Sequence, residues 1–250
     1  MAIYLTGDTH GDFSRFSTKN FPQQKPLTKS DYMIICGDFG GVWNESTEQQ
    51  YWLNWLEERP YTTLFITGNH ENYDLLSTYP VEQWHGGAVQ YIRPSVIHLM
   101  RGQLFDIGGA RFFPMGGAAC HDVQDGILEP DDPLFRIKYQ RLMRKNALFR
   151  VNHLSWWKEE LPSEEEYRTA RAALMRADWK VDYIVTHCAP TSIQKIAGNY
   201  THTPNALTDF LEEVAQKCDF QYWFFGHYHN DLMIRDKYIL LYHSVVQLTV

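Results

Sequence analysis

Long hydrophobic runs are missing from this 250-residue chain. None approaches the roughly 18 apolar residues of a membrane-spanning helix, so no membrane partner is expected. The opening MAIYLTGDTHG enters a strand-like run at once. It has neither the basic stretch nor the long apolar stretch of a secretory signal, and a cytoplasmic location is expected. Cysteine is scarce: Cys36, Cys120, Cys188 and Cys218 are scattered, with no CxxC pair. That spacing excludes a thiolate zinc knuckle and a CxxC redox motif, and it suits reduced thiols in a cytoplasm. Positive charge is also in short supply, with 23 Lys and Arg against 30 Asp and Glu and a net charge of −7. This argues against a general nucleic-acid coat protein, though not against a locally positive site. Internal repeats, low-complexity segments and Pro/Gly/Ser-rich linkers are absent too, so residues 1–250 are expected to form a single domain.

What the chain does have is core-forming material: 44% apolar and 15% aromatic residues. Much of it lies in short β-branched or aromatic runs that stop at polar residues. AIYLTGDTHG ends in Asp8 and His10, DYMIICGDFGG in Asp38, and TTLFITGNHEN in Asn69 and His70. VDYIVTHCAP ends in His187, and YWFFGHYHND in His227 and His229. Continuous apolar runs of this kind suit strands buried on both faces. Between them lie helix-like stretches. In 46–59, behind a Ser46 or Thr47 cap, Tyr51, Trp52, Trp55 and Leu56 recur at helical spacing. Residues 163–178 open with Ser163 and three glutamates, a favourable helix start, and 208–219 read as a third helix. Alternation of strand and helix predicts an α/β fold with a largely parallel sheet. In such sheets ligands bind beyond the strand carboxyl ends. Five strand ends would then deliver Asp, His and Asn, all metal-ligand types, to one volume. Glycine or threonine before most of them allows close backbone approach there.

The ordered set GDTHG (7–11), GD (37–38), GNHE (68–71), TH (186–187) and GHYH (226–229) resembles the calcineurin-like metallophosphoesterase superfamily. The resemblance implies a two-sheet β-sandwich flanked by helices, with a dinuclear site at the strand carboxyl ends. It implies one metal held by Asp8, His10, Asp38 and His229. A second would be held by Asp38, Asn69, His187 and His227, with Asp38 bridging. The donors suit divalent transition-metal ions, with Mn expected first and Fe, Zn, Co or Ni also compatible. A bridging hydroxide would attack phosphorus in line with the leaving oxygen. His70 would protonate that oxygen or stabilise the charge developing on it. His227 and His229, two apart, would lie on the same side of an extended chain and reach different metals.

The protein serine/threonine phosphatases of the superfamily carry GDxVDRG, where this chain has GDFGGVWNE (37–45). The usual orienting partner of His70 is therefore missing, and Glu71 or Asp74 is the substitute to examine. GHYH, with both histidines, resembles the phosphodiesterase and nuclease-like branches. The expected function is a metal-dependent phosphoesterase acting on a small phosphodiester or nucleotide-like substrate. A phosphomonoesterase or protein phosphatase is the alternative, and a metal-binding scaffold with lost catalysis the non-enzyme one. Nucleic acid is possible as a partner but not favoured, and the oligomeric state is left open.

Residues 97–122 read as strand, Gly108-Gly109 turn and strand of a second sheet. Residues 123–162 interrupt the ligand strands and are rich in turns, charges and aromatics. With GGA before them and SWW within, they resemble a bacterial subgroup of small metallophosphoesterases. They are expected to cap the site. Lys138, Arg141 and Lys145 would share a helical face as a phosphate clamp or a solvated basic face, with Arg136, Arg144 and Arg150 nearby. His121, Asp122 and His153 read as pocket-lining or structural. Trp156 and Trp157 read as core packing or a stacking surface for a base or sugar. Cys36 and Cys188 read as buried packing residues, and His202 as a loop residue near the site. No special role falls to His85, His98 or His243. The C-terminal YILLYHSVVQLTV reads as strand.

Overall fold

The computed structural model describes residues 1–198 and 203–248. His202 lies outside the described residues. In chain order the strands are β1 (Ile3–Thr6), β2 (Tyr32–Ile35), β3 (Thr62–Phe65), β4 (Val81–Trp84) and β5 (Gly87–Arg93). There follow β6 (Val96–Leu99), β7 (Phe105–Ile107), β8 (Ala110–Met115), β9 (Ile127–Leu128) and β10 (Arg150–Val151). The last are β11 (Tyr183–Thr186), β12 (Tyr222–Phe225), β13 (Leu232–Ile234), β14 (Tyr238–Leu240) and β15 (Val245–Leu248). The helices are α1 (Thr47–Glu57), α2 (Tyr73–Ser77), α3 (Phe135–Arg144), α4 (Glu164–Arg176), α5 (Thr191–Ala197) and α6 (Ala206–Lys217).

The strands form two large mixed sheets. One has seven strands in the order β15-β1-β2-β3-β6-β5-β4; the other has six, β13-β14-β12-β11-β8-β7. The central strands of each run parallel: β1, β2, β3 and β6 in the first, and β8, β11, β12 and β14 in the second. Although the strand sequences are apolar throughout, they alternate in what they meet, as the two-residue strand period demands. Ile3, Leu5 and Ile34 of the first sheet pack on Phe112, Val185 and Phe224 of the second. Tyr4, Met33 and Ile35 face outward to Leu53 and Leu56 of α1 and to Phe13, Phe16 and Phe21. On the opposite side Ile184, Trp223 and Phe225 face Leu174 of α4, Ile193 of α5 and Leu211 of α6. Both faces of the central strands of each sheet are thus covered. The result is the expected α/β sandwich of two sheets flanked by helices.

Local signals place the helices, with two corrections. Ser46 caps α1 by accepting from the Gln49 amide, but its buried face is Leu53 and Leu56, while Tyr51 is 60% exposed. The aromatic stripe expected at 51, 52 and 55 therefore lies at the edge of the core rather than in it. Helix α6 starts two residues before the expected 208 because Asn205 caps it, accepting from the Leu207 and Thr208 amides. Ser163 and Glu166 cap α4 reciprocally, with Ser163 Oγ 3.3 Å from the Glu166 amide and Glu166 Oε2 2.7 Å from the Ser163 amide. The 108–109 turn joins β7 to β8 in the second sheet, as expected, but the opening residues of that segment, 97–99, lie in β6 of the first sheet. The C-terminal residues divide between the sheets: β14 belongs to the second, and β15 pairs antiparallel with β1 at the edge of the first.

Within 123–162 a small parallel pair, β9 with β10, stands apart from both sheets, and α3 buries none of its residues. Lys138, Arg141 and Lys145 are all exposed, and Lys138 is paired with Asp132. Trp157 is 1% exposed and donates its indole N–H to Asp74 Oδ2 at 2.7 Å. Its ring is thus core packing and presents no stacking face to solvent. Among the described residues no helix is long and apolar enough to cross a membrane.

Candidate metal centre

All five of these strand ends converge. β1 delivers Asp8 and β2 delivers Asp38, each carboxylate essentially buried. Asp8 Oδ2 lies 3.2 Å from His229 Nε2 and 3.8 Å from His10 Nε2, and the two imidazole nitrogens are themselves 3.2 Å apart. Asp38 Oδ2 lies 3.7 Å from His10 Nε2, and its Oδ1 lies 3.3 Å from His187 Nε2. Two groups with the proximity a cation needs result: Asp8, His10 and His229 in one, and Asp8, Asp38 and His187 in the other.

His227 borders the second group. The His227 ring centroid is 5.0 Å from that of His187, and the His227 amide donates to both oxygens of Asp8. Asn69 is buried, and its Oδ1 accepts no hydrogen bond from any described group. The His70 amide donates to Asp38 Oδ1 at 2.8 Å, and its ring lies 5.4 Å, centroid to centroid, from His10.

Backbone conformation serves this convergence. His10, Asp38, His227 and His229 all have positive φ, between 45° and 69°, a region non-glycine residues rarely occupy and one that clusters at functional sites. This corrects one expectation. His227 and His229 do not share a side of an extended chain, because β12 ends at Phe225 and the turn sends their rings apart. His229 goes to Asp8 and His10, and His227 to His187. Glycines permit the packing. A Cβ on Gly68 would lie 2.0 Å from Asp38 Oδ1, and one on Gly226 2.1 Å from Asp8 Oδ1.

The electrostatics call for positive charge. Burial alone would pull the His187 imidazole down, but Asp38 and Asp8 outweigh it and push its pKa up to about 9. Burial opposes ionisation of Asp38, yet the surrounding imidazoles, His187 first, hold its carboxyl well below the usual range. His187 Nδ1 lies 2.9 Å from the Cys36 carbonyl; donation there would leave Nε2 as the ligand nitrogen. Nε2 faces Asp38 Oδ1 at 3.3 Å. Carboxylates, imidazoles and one amide oxygen, with no thiolate, suit borderline divalent cations. Asn69 Oδ1, buried and without a hydrogen bond, is the kind of donor atom such a cation would satisfy.

Several second-rank expectations change. Neither Glu71 nor Asp74 orients His70. Glu71 accepts from the Phe39 and Gly40 amides and so braces the loop after Asp38. Burial, then the Asp38 charge, pushes Glu71 up to about 8. Asp74 is held by His153 and Trp157. His121 lines the site, its Nε2 2.9 Å from His227 Nε2, whereas Asp122 pairs with Arg150 and His153 is structural. Cys36 and Cys188 are buried as expected, and burial raises both thiols. Arg15 was not among the expected site residues. It donates to the Asp8 carbonyl at 2.7 Å, to Thr6 Oγ1 at 3.0 Å and to the Tyr242 carbonyl. That ties the β1 end to the chain entering β15; a half-buried Arg in DFSRF carries no local signal of it.

Carboxylates and imidazoles gathered at parallel strand ends, in a two-sheet sandwich, form a candidate metal centre. Residues 1–231 match the family described as Calcineurin-like phosphoesterase, and the chain belongs to that family. It is also similar to lariat debranching enzyme A of Xenopus laevis, 27% identical over 52% of this chain and 26% of that protein. The lariat debranching enzyme of Drosophila pseudoobscura pseudoobscura is 24% identical over 92% of this chain and 42% of its own length. That of Arabidopsis thaliana is 32% identical over 35% of this chain and 23% of its own. The chain therefore spans less than half the length of these relatives.

Proposed function

We propose that the chain is a phosphodiesterase acting on a small nucleotide-like substrate at a pair of divalent metal ions, Mn first among them. The observation that carries this reading is a pair of cation-sized groups of donors that share the buried Asp8, with the buried Asp38 facing both His10 and His187. Asp8, His10, Asp38 and His229 would hold one ion, and Asp38, Asn69, His187 and His227 the other. Two such ions supply Lewis-acid charge that binds phosphate oxygens and acidifies water. With two aspartates opposing them, about two positive charges remain to attract an anion.

The protein's own groups do the rest. Asp38, kept ionised, faces His10 and His187 at once and sets their spacing. His70, anchored by its amide to Asp38, borders the open cleft beside His10. Burial lowers its pKa, and a neutral imidazole still offers one N–H to a leaving oxygen. The diester reading rests on GHYH with both histidines, on the missing Asp and Arg of GDxVDRG, and on the likeness to lariat debranching enzymes. Residues 123–162 we assign to a cap of the subgroup carrying GGA and SWW, within one domain.

The test is to strip the metal, reload Mn²⁺ and compare bis(p-nitrophenyl) phosphate with p-nitrophenyl phosphate. Faster diester hydrolysis is expected, with Asp38→Asn as the blank; a monoester preference would overturn the diester assignment. In the same assay His70→Ala should keep both metals and lose roughly 10²–10⁴-fold in rate, the usual range for a general acid. Loss of metal from that variant would make His70 a ligand or a ligand's support instead.

A further inference from the structure

Beside the candidate metal centre a cleft of about 360 Å³ opens, lined by His10 and His70 of that centre and by Trp43 and Trp52. We infer that this cleft is a base subsite: it receives the nucleobase of one nucleoside esterified to the phosphate. The inference rests on the phosphoesterase reading above and names the substrate class that reading leaves open.

Position comes first. A phosphate bound where His10 and His70 border the metal donors would direct one ester substituent into the cleft. Size comes next, since the volume falls in the range of small-ligand sites. Charge then selects the class. Asn44, Ser46, Glu48 and Gln49 supply polar groups to the lining, which contains neither Lys nor Arg. An acidic residue with no cation disfavours a second phosphate and favours an uncharged ring that can hydrogen-bond.

The indoles are preorganised. The Trp43 carbonyl accepts from Asn72 Nδ2 at 2.7 Å, and Gln49 Oε1 accepts from the Trp43 amide and from the Asn44 amide at 2.8 Å. The Trp43 ring rests edge-on against Trp157 at 5.5 Å, and that of Trp52 against Phe13 at 6.1 Å. Both remain half-exposed. A rigid, partly exposed indole is a stacking platform for any base. The stacking role considered for Trp156 and Trp157 thus moves to Trp43, with the buried Trp157 as its support.

The experiment compares adenosine 5′-monophosphate with ribose 5-phosphate, which differ only in the base, as ligands of the metal-loaded protein measured by calorimetry. The wild type should bind the nucleotide about tenfold tighter or more, the ratio expected of one good stack. Trp43→Leu fills space without stacking and should bring the two affinities to within about threefold, leaving ribose 5-phosphate binding unchanged. Trp52→Leu is the second variant, and circular dichroism confirms that both fold. Equal affinities in the wild type, or a base preference that survives both substitutions, would overturn the inference. Failure of the phosphoesterase reading looks different: Asp38→Asn would leave both affinities intact.

Discussion

Asp38→Asn should strip the centre of bound metal and lower turnover at least a hundredfold. Asp38 is buried, with one oxygen 3.7 Å from His10 Nε2 and the other 3.3 Å from His187 Nε2. Asp8 is common to both groups, but Asp38 also accepts the His70 amide and so ties the two groups to the loop after β3. Asparagine keeps the volume but removes the charge and one of the two acceptor oxygens. A site that loses only an outer support of its ligands typically falls 10–100-fold. Removing a shared donor should exceed that. The measurement is metal stoichiometry by elemental analysis together with diester turnover. Two bound ions and wild-type turnover would remove Asp38 from the bridging role.

Gly68→Ala should cripple the same centre without altering any ligand. Its Cβ would lie 2.0 Å from Asp38 Oδ1 and 2.5 Å from the Asp38 backbone nitrogen. A flexible side-chain tip can yield, but a backbone nitrogen held in a strained turn cannot. Asp38, at φ 45°, must therefore be displaced, together with its contact to the His70 amide. Overpacking of this kind costs about 1–3 kcal/mol in stability, and a misplacement of about 1 Å at a reacting centre can cost 10²-fold in rate. The expected result is a folded protein with a lower melting temperature, weakened Mn²⁺ binding and turnover reduced on the order of a hundredfold. Wild-type metal affinity would mean that the loop absorbs the methyl group elsewhere.

Much of this centre was legible before the fold was known, because its signals are local. A continuous apolar run that stops at Gly-Asp or Gly-Asn-His marks a buried strand and its carboxyl end in the same few residues. Capping was local too, and Ser46 and Ser163 sit where the sequence places them. Glu71 illustrates the limit. Its place next to His70 suggested an orienting partner, but its carboxylate instead reaches the amides of residues 39 and 40. The same limit hid Arg15, whose acceptors include Tyr242, and left His121 unresolved until His227 lay beside it.

The sequence by itself determined which residue types stand at which strand ends, and so the class of chemistry. Strand period, turn glycines and ligand types are all encoded within a few neighbouring residues. The tertiary structure alone decided which atoms meet: Asp8 with His229, Gly68 against Asp38, Trp43 and Trp52 along one cleft. These pairings depend on the order β15-β1-β2-β3 in one sheet, on β11 beside β12 in the other, and on how the two sheets pack. That order is set by the burial of whole faces, a property of the assembled core that no short stretch of chain carries.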